Sequence, residues 1–266
     1  MTQTGPVRAP AQFDLSDRVI LITGAGGGIG TAIARRLASS GAIVCLADRK
    51  ACTDLTDALQ TAGARATDHP TDVTDPAQVQ ALMQTVLAAH GRIDGLVNAA
   101  GVTSTGGIDA LSGDEWDRVH TINLKSVFLC CQAALAPMRQ AGFGRIVNIG
   151  SVVGKNGGNA RPWLDPTEQN GAANAAYAAS KAGVHALTLS LAKEVAASGV
   201  TVNAVAPGPI VSPMTTAFPT ALQAQIPVGR MGRADEVAAM VAFLCSDETG
   251  FITGEVLDVN GGLWPD

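Results

Sequence analysis

The chain has 266 residues, 47% of them apolar and only 15% charged. That balance excludes a disordered chain, which needs weak hydrophobicity and many charges. Its 18 Lys and Arg against 23 Asp and Glu leave a net charge of −5 with no basic run, which argues against nucleic acid or an anionic membrane as partner. The longest uninterrupted apolar run, the nine residues from Val237 to Cys245, is too short to span a bilayer. Met1 to Asp17 is polar and lacks a charged-then-apolar leader pattern, so a cytoplasmic protein is expected. The five cysteines include the neighbours Cys130 and Cys131 and read as reduced thiols rather than a disulfide framework. The four histidines are scattered, with no metal-ligand spacing, so no metal site is expected.

In chain order, short apolar runs alternate with longer amphipathic segments. Val19–Thr23 predicts a strand, followed by a helix over Gly30–Ser40. Ile43–Asp48 predicts the second strand and Cys52–Ala62 the next helix. A weaker strand is expected over Arg65–Pro70, then a helix over Asp75–His90 and a strand over Ile93–Asn98. One long helix is expected over Ser112–Ala141, then a strand over Arg145–Ile149. A loop is expected over Lys155–Ala173 and a helix over Asn174–Ser198. Thr201–Ala206 predicts a strand, Gly208–Gly232 an irregular loop, Ala234–Cys245 a helix and Val256–Val259 the last strand. Apolar strands bounded by Gly, Asp or Asn are those covered on both faces. Their alternation with helices predicts an α/β fold: a single Rossmann-type, doubly wound parallel sheet of about seven strands with helices on both faces. One domain is expected over 15–266, behind an N-terminal extension, 1–14.

The first strand runs into Thr23-Gly24-Ala25-Gly26-Gly27-Gly28-Ile29-Gly30 and then a helix. Such a junction offers backbone N–H groups and a helix N-terminus to a pyrophosphate. Gly24, Gly28, Ile29 and Gly30 are therefore candidate dinucleotide contacts. The second strand ends at Asp48, where a carboxylate can accept hydrogen bonds from an adenosine ribose and repels a 2′-phosphate. This favours NAD over NADP, although Arg49 and Lys50 follow directly. Asp48 could instead cap the next helix.

Tyr177-Ala178-Ala179-Ser180-Lys181 completes the pattern. Tyr177 and Lys181 stand at i and i+4 and share a helix face. An ammonium beside a phenol favours the phenolate, so a lowered Tyr177 pKa is expected. Together these motifs resemble the short-chain dehydrogenase/reductase family, in its compact branch, from about Leu15 to Gly262. Thr23 to Gly30 is similar to the family's TGxxxGxG. Asn98-Ala99-Ala100-Gly101 is similar to its NNAG, with Ala99 in place of the second Asn. Asp72 and Val73 resemble the pair that meets adenine. Pro207, Gly208, Ile210 and Ser212 resemble the stretch at the nicotinamide, Ser212 standing for the usual Thr. The resemblance implies Asn123, Ser151, Tyr177 and Lys181 as catalytic residues. It implies cofactor contacts at Gly24, Gly28, Ile29, Gly30, Asp48, Asp72, Val73, Asn98, Gly101, Tyr177, Lys181, Pro207, Gly208, Ile210 and Ser212. Tyr177 would then be the general acid/base, Ser151 would hold the substrate oxygen, and Lys181 would bind the nicotinamide ribose. Asn123 would hold a water linking Lys181 to solvent. Asp72 could alternatively cap the next segment. Lys125 and Lys193 read as solvated, and Cys130 and Cys131 as packing.

Ser151 and Tyr177 are 177 − 151 = 26 positions apart, against about a dozen in the family. Removing 156–169 restores the shorter spacing. The insertion reads either as a specificity lid with Trp163 as apolar anchor, or as a surface hairpin or subunit contact. Val153, Trp163 and Met214 are the candidate substrate contacts, with 208–232 as the substrate loop.

The tail resembles 3-oxoacyl thioester reductases most, but Asp48 and the insertion pull toward a smaller substrate. The expectation is an NAD(H)-dependent oxidoreductase interconverting a secondary alcohol and a ketone. The alternatives are a 3-oxoacyl thioester reductase and, from another class, a non-catalytic nucleotide-binding sensor or scaffold. A sugar-nucleotide epimerase would need a longer C-terminal substrate region. The resemblance implies a homotetramer, or a dimer, joined through Ser112–Ala141 and Asn174–Ser198, with Trp264 near a second partner.

Overall fold

The computed structural model describes residues 13–104, 106–158, 174–212 and 220–265. Trp163, Met214 and most of the 1–14 and 156–169 segments lie outside them. The elements are β1 (Val19–Thr23), α1 (Gly28–Ser39), β2 (Ile43–Asp48), α2 (Thr53–Thr61), β3 (Arg65–Pro70), α3 (Pro76–His90) and β4 (Gly95–Asn98). They continue with α4 (Gly113–His120), α5 (Ser126–Ala141), β5 (Gly144–Ile149), α6 (Val153–Asn156) and α7 (Ala175–Val195). The last are β6 (Val200–Pro207), α8 (Thr220–Gln223), α9 (Ala234–Cys245) and β7 (Val256–Val259).

The seven strands form one parallel sheet in the order β3-β2-β1-β4-β5-β6-β7. Alternation along each strand feeds two cores, because successive side chains point to opposite faces. Ile20 and Ile22 of β1 pack with Ile33 and Leu37 of α1 and Val241 of α9. Val19 and Leu21 pack on the other face with Val86 of α3, Met138 of α5 and Val184 of α7. The strand order reverses between β1 and β4, which opens a crevice beyond the carboxyl ends of the strands, where such sheets bind ligands. Register brings Thr23, Asn98 and Asn148 side by side there.

Four boundaries differ from expectation. β4 starts at Gly95, not Ile93, because Asp94 turns its carboxylate to the Val19 N–H (2.8 Å) and serves as a clamp under the sheet. The long helix over Ser112–Ala141 is broken by a π-helical turn, Thr121–Lys125, between α4 and α5. Lys155 and Asn156 belong to α6, and the chain leaves it at Gly157 in a left-handed conformation (φ 75°). The expected irregular segment after β6 contains the helical turn α8. The combined helical run Gly113–Ala141 is 29 residues long and apolar. It lies on the sheet, with Leu129, Cys130, Cys131 and Met138 buried in the core.

Candidate active site

The glycine turn is built from exclusions. Gly24 has φ +66°, and a Cβ there would lie 2.5 Å from Ala100 N. A Cβ on Gly30 would lie 2.1 Å from Gly24 O. Neither position admits a side chain. A Cβ on Gly28, by contrast, would meet nothing within 4 Å. No side chain caps the N-terminus of α1 at Gly27, so its first-turn N–H groups face the space in front of Gly28. These are the features that a pyrophosphate needs.

Asp48, at the end of β2, does not cap α2, whose N-cap is Cys52. Its Oδ2 accepts the Gly26 N–H (3.1 Å) and its Oδ1 the Lys50 N–H (3.3 Å). The carboxylate thus stands beside the glycine turn. Arg49 is exposed and adds to the low pKa of Asp72, which comes first from hydrogen bonds donated by the Thr74 hydroxyl (2.6 Å) and N–H (2.9 Å). Asp72 does not cap α3; Asp75 does. The residues present fit a dinucleotide.

Three expected cofactor contacts have their side chains engaged elsewhere. The Asn98 amide donates to Asn148 Oδ1 (2.9 Å) and to Cys131 Sγ (3.4 Å), tying β4 to β5. The Ile210 side chain is buried in the core, and its segment bridges to Gly232. Val73 is likewise buried in the core. The Pro207 carbonyl accepts the Val152 N–H (2.9 Å), and Gly208 has no room for a Cβ, which would lie 2.8 Å from Asn260 Cα. Ser212 is half-buried after them.

Asn123, Ser151, Tyr177 and Lys181 converge at the carboxyl ends of β4 and β5. Lys181 is buried, and its ammonium donates to the carbonyl of Ile149, the last residue of β5 (2.7 Å). Burial pushes its pKa down to about 8. The same ammonium lies 5.8 Å from the centre of the Tyr177 ring. The Ser151 side chain draws the Tyr177 pKa down, but burial raises it more, and the net direction is upward. This departs from the expected lowering: in the protein alone, desolvation of the phenolate outweighs the pull of Ser151.

Asn123 comes from the π-helical turn and is fully buried. Its Oδ1 accepts the Val102 N–H (2.8 Å), and its Nδ2 donates to Val102 O (2.9 Å) and Ser180 Oγ (3.0 Å). Both amide hydrogens are committed, so the expected water could take only an oxygen acceptor here. A Cβ on Gly101 would lie 3.4 Å from Asn123 Oδ1 and 3.5 Å from Lys181 Nζ. The Ser180 hydroxyl donates in turn to Tyr177 O (2.8 Å). Sequence reasoning missed Ser180 and Val102. Ser180, beside Lys181 in the quoted stretch, was the available signal.

Val153 opens α6, and its N–H donates to Ser151 Oγ (3.2 Å). A Cβ on Gly158 would lie 2.8 Å from Asn174 Oδ1. The flanks of the insertion therefore meet at one point, next to Ser151 and α7. Among the described residues, a cavity of about 420 Å³ lies elsewhere, lined by Pro209, Val228, Arg230, Asp258, Asn260 and Trp264 among others. It contains none of the four converging side chains, and the chemistry of the site is not there. Lys125 and Lys193 are exposed, and all five cysteines are free and buried.

A doubly wound sheet with an uncapped glycine turn and a Ser–Tyr–Lys cluster defines a nucleotide-dependent oxidoreductase fold. The sequence model of the family described as enoyl-(acyl carrier protein) reductase matches residues 24–264. The 3-oxoacyl-[acyl-carrier-protein] reductase FabG of Salmonella typhimurium is 41% identical over 253 residues, covering 93% of this chain and 97% of the relative. The FabG of Escherichia coli is 41% identical over 258 residues, covering 95% and 99%. Nodulation protein G of Rhizobium sp. is 40% identical over 259 residues, covering 94% and 98%. The crystal structure of gox2181 superimposes with a TM-score of 0.85 at 34% identity, covering 94% of this chain and 96% of that one. The chain belongs to the short-chain dehydrogenase/reductase family.

Two outcomes are expected. Tyr177 is the only tyrosine, so ultraviolet titration reads it alone: its midpoint lies above the ordinary value of about 10, and Ser151→Ala raises it further. Lys181 is a cation whose folded pKa, about 8, lies below its unfolded value. The unfolded chain then binds more protons, so stability rises with pH from about 8 toward the unfolded pKa of about 10.4. Denaturant titrations across the lower part of that window should show this gain in the wild type and not in Lys181→Met.

Proposed function

We propose that this protein interconverts a secondary alcohol and a ketone with a nicotinamide cofactor, and that its substrate class is 3-oxoacyl thioesters and their 3-hydroxy counterparts. The observation that carries the chemistry is Tyr177, set beside the buried ammonium of Lys181 and influenced by the Ser151 side chain. The likeness of the tail and of whole-length relatives named as 3-oxoacyl reductases supports the substrate class.

In the reducing direction Ser151 Oγ holds the carbonyl oxygen, and the Tyr177 hydroxyl, protonated at neutral pH like an ordinary phenol, delivers a proton to it. When bound, a nicotinamide dinucleotide supplies or accepts the hydride. Lys181, anchored on Ile149 O, keeps positive charge beside the phenol and reaches the space behind Gly101. Asn123 ties the π-helical turn to Val102 and Ser180, which holds Tyr177 in place. Gly24, Gly28, Ile29 and Gly30 receive the pyrophosphate. Asp48 takes the ribose and selects NAD(H) over NADP(H), because its carboxylate repels a 2′-phosphate.

A second reading is an NAD(H)-dependent dehydrogenase of a smaller secondary alcohol. The spacing between Ser151 and Tyr177 favours it, since the added residues root beside the catalytic groups. A purely nucleotide-sensing role would leave the Ser151–Tyr177–Lys181 cluster unexplained. The five free, buried cysteines suit a reducing, cytoplasmic setting. Phe128 on α5 and Leu189 on α7 are 44% and 41% exposed, which suits a homotetramer joined through those helices.

The test is oxidation of NADH by acetoacetyl-CoA, with NADPH as the paired control. Turnover with NADH in preference to NADPH is expected. Absence of turnover in protein that binds NADH would move the reading to small secondary alcohols. Tyr177→Phe should lower turnover by the ~10²–10⁴-fold of general acid/base catalysis and leave NADH binding intact.

A further inference from the structure

α7 carries more than Tyr177 and Lys181 on the face turned to β5. His185 stands one turn beyond Lys181, at i+4, and is buried. Its imidazole lies directly under the segment that bears Ser151. The Ser151 backbone N–H donates to His185 Nε2 (3.4 Å). Two glycines flank that segment, and both are shaped by the ring. A Cβ on Gly150 would lie 2.2 Å from His185 Nε2, and a Cβ on Gly154 would lie 2.8 Å from His185 Cε1. The spacing Gly150-Ser151-Val152-Val153-Gly154 thus makes a cradle for one imidazole, with the buried Ser151 on its rim. The N–H groups on either side of Ser151 are tied to β6: Gly150 N–H donates to Val205 O (2.8 Å) and Val152 N–H to Pro207 O (2.9 Å). At Ser151 the acceptor is the histidine.

We propose that His185 is a positioning residue for Ser151: its ring, with Nε2 unprotonated, accepts the Ser151 N–H and props the 150–154 segment so that Ser151 Oγ faces Tyr177. The inference rests on the reading of Ser151 and Tyr177 as partners in proton transfer. It extends that reading to a residue outside the Tyr177–Lys181 pair. A hydrocarbon side chain at 185 would fill the cradle but leave the Ser151 N–H without an acceptor, and a buried donor left unmet moves to find one. Ser151 would then shift relative to Tyr177, and a misplacement of about 1 Å in a catalytic constellation can cost about a hundredfold in rate.

The single tyrosine makes the geometry readable without substrate or cofactor. The Ser151 side chain draws the Tyr177 pKa down, so moving it away shifts the ultraviolet midpoint up. His185→Leu should raise that midpoint in the direction of Ser151→Ala. His185→Gln, whose amide oxygen can take the place of Nε2, should leave it near the wild type. With acetoacetyl-CoA and NADH, kcat should follow the same order while NADH affinity stays constant. An unmoved midpoint in folded His185→Leu overturns the inference, as does an equal shift in the Leu and Gln variants. If Ser151→Ala itself leaves the midpoint unmoved, the pairing of Ser151 with Tyr177 fails, and that failure is distinct. Should His185→Leu not fold, nitrogen-15 NMR of the wild type decides: the His185 tautomer must carry its proton on Nδ1, and a proton on Nε2 overturns the inference.

Discussion

The arrangement of the site depends on one buried ammonium. A cation taken out of water is costly unless it finds hydrogen-bond partners, and Lys181 finds the carbonyl at the end of β5, 2.7 Å away. That bond fixes the distance and the rotation of α7 against the sheet. Once α7 is fixed, helical pitch alone sets Tyr177 one turn before Lys181 and His185 one turn after it. Burial still weakens the charge, pushing the Lys181 pKa down to about 8. The fold tolerates a strained electrostatic position where it places its proton-transfer group, as active sites do.

The layer beneath is held by neutral polar groups rather than charges. Asn98 of β4 donates to Asn148 of β5, and Asn148 donates to Thr188 of α7 (2.9 Å). Thr188 donates back to Val184 O (2.8 Å). This buried chain links two strands and a helix directly below Lys181. The donors of this network are all met, although Asn98 Oδ1 is left without a partner, and a slip of its elements would leave several donors unmet at once. The Ala99 substitution in the resemblance leaves this chain untouched, since its members are Asn98, Asn148 and Thr188.

The nucleotide side is ordered by a different principle, the absence of side chains. Gly24 and Gly30 let the turn close on itself and on Ala100, and Gly28 leaves open space before an uncapped helix. Asp48 reaches across to the Gly26 N–H, joining β2 to the turn. The two halves meet where the sheet order reverses between β1 and β4.

The amino-acid sequence by itself determined the element order, the parallel sheet, the glycine turn and the Tyr177–Lys181 face. These are local properties: apolar runs of strand length, glycine spacing and the i, i+4 relation survive in one dimension. The boundaries that moved did so for tertiary reasons. Asp94 left its strand to clamp Val19, and the helix over Ser112–Ala141 acquired a π-helical turn that carries Asn123 inward to Val102. Asn98, Val73 and Ile210 lie within stretches expected to bind nucleotide, yet their side chains are buried on core partners. The direction of the Tyr177 pKa also waited for the structure, because spacing shows a nearby ammonium but not how far the phenol is withdrawn from water. His185 read as one of four scattered histidines. Only the fold brings it between Gly150 and Gly154, residues more than thirty positions away in sequence.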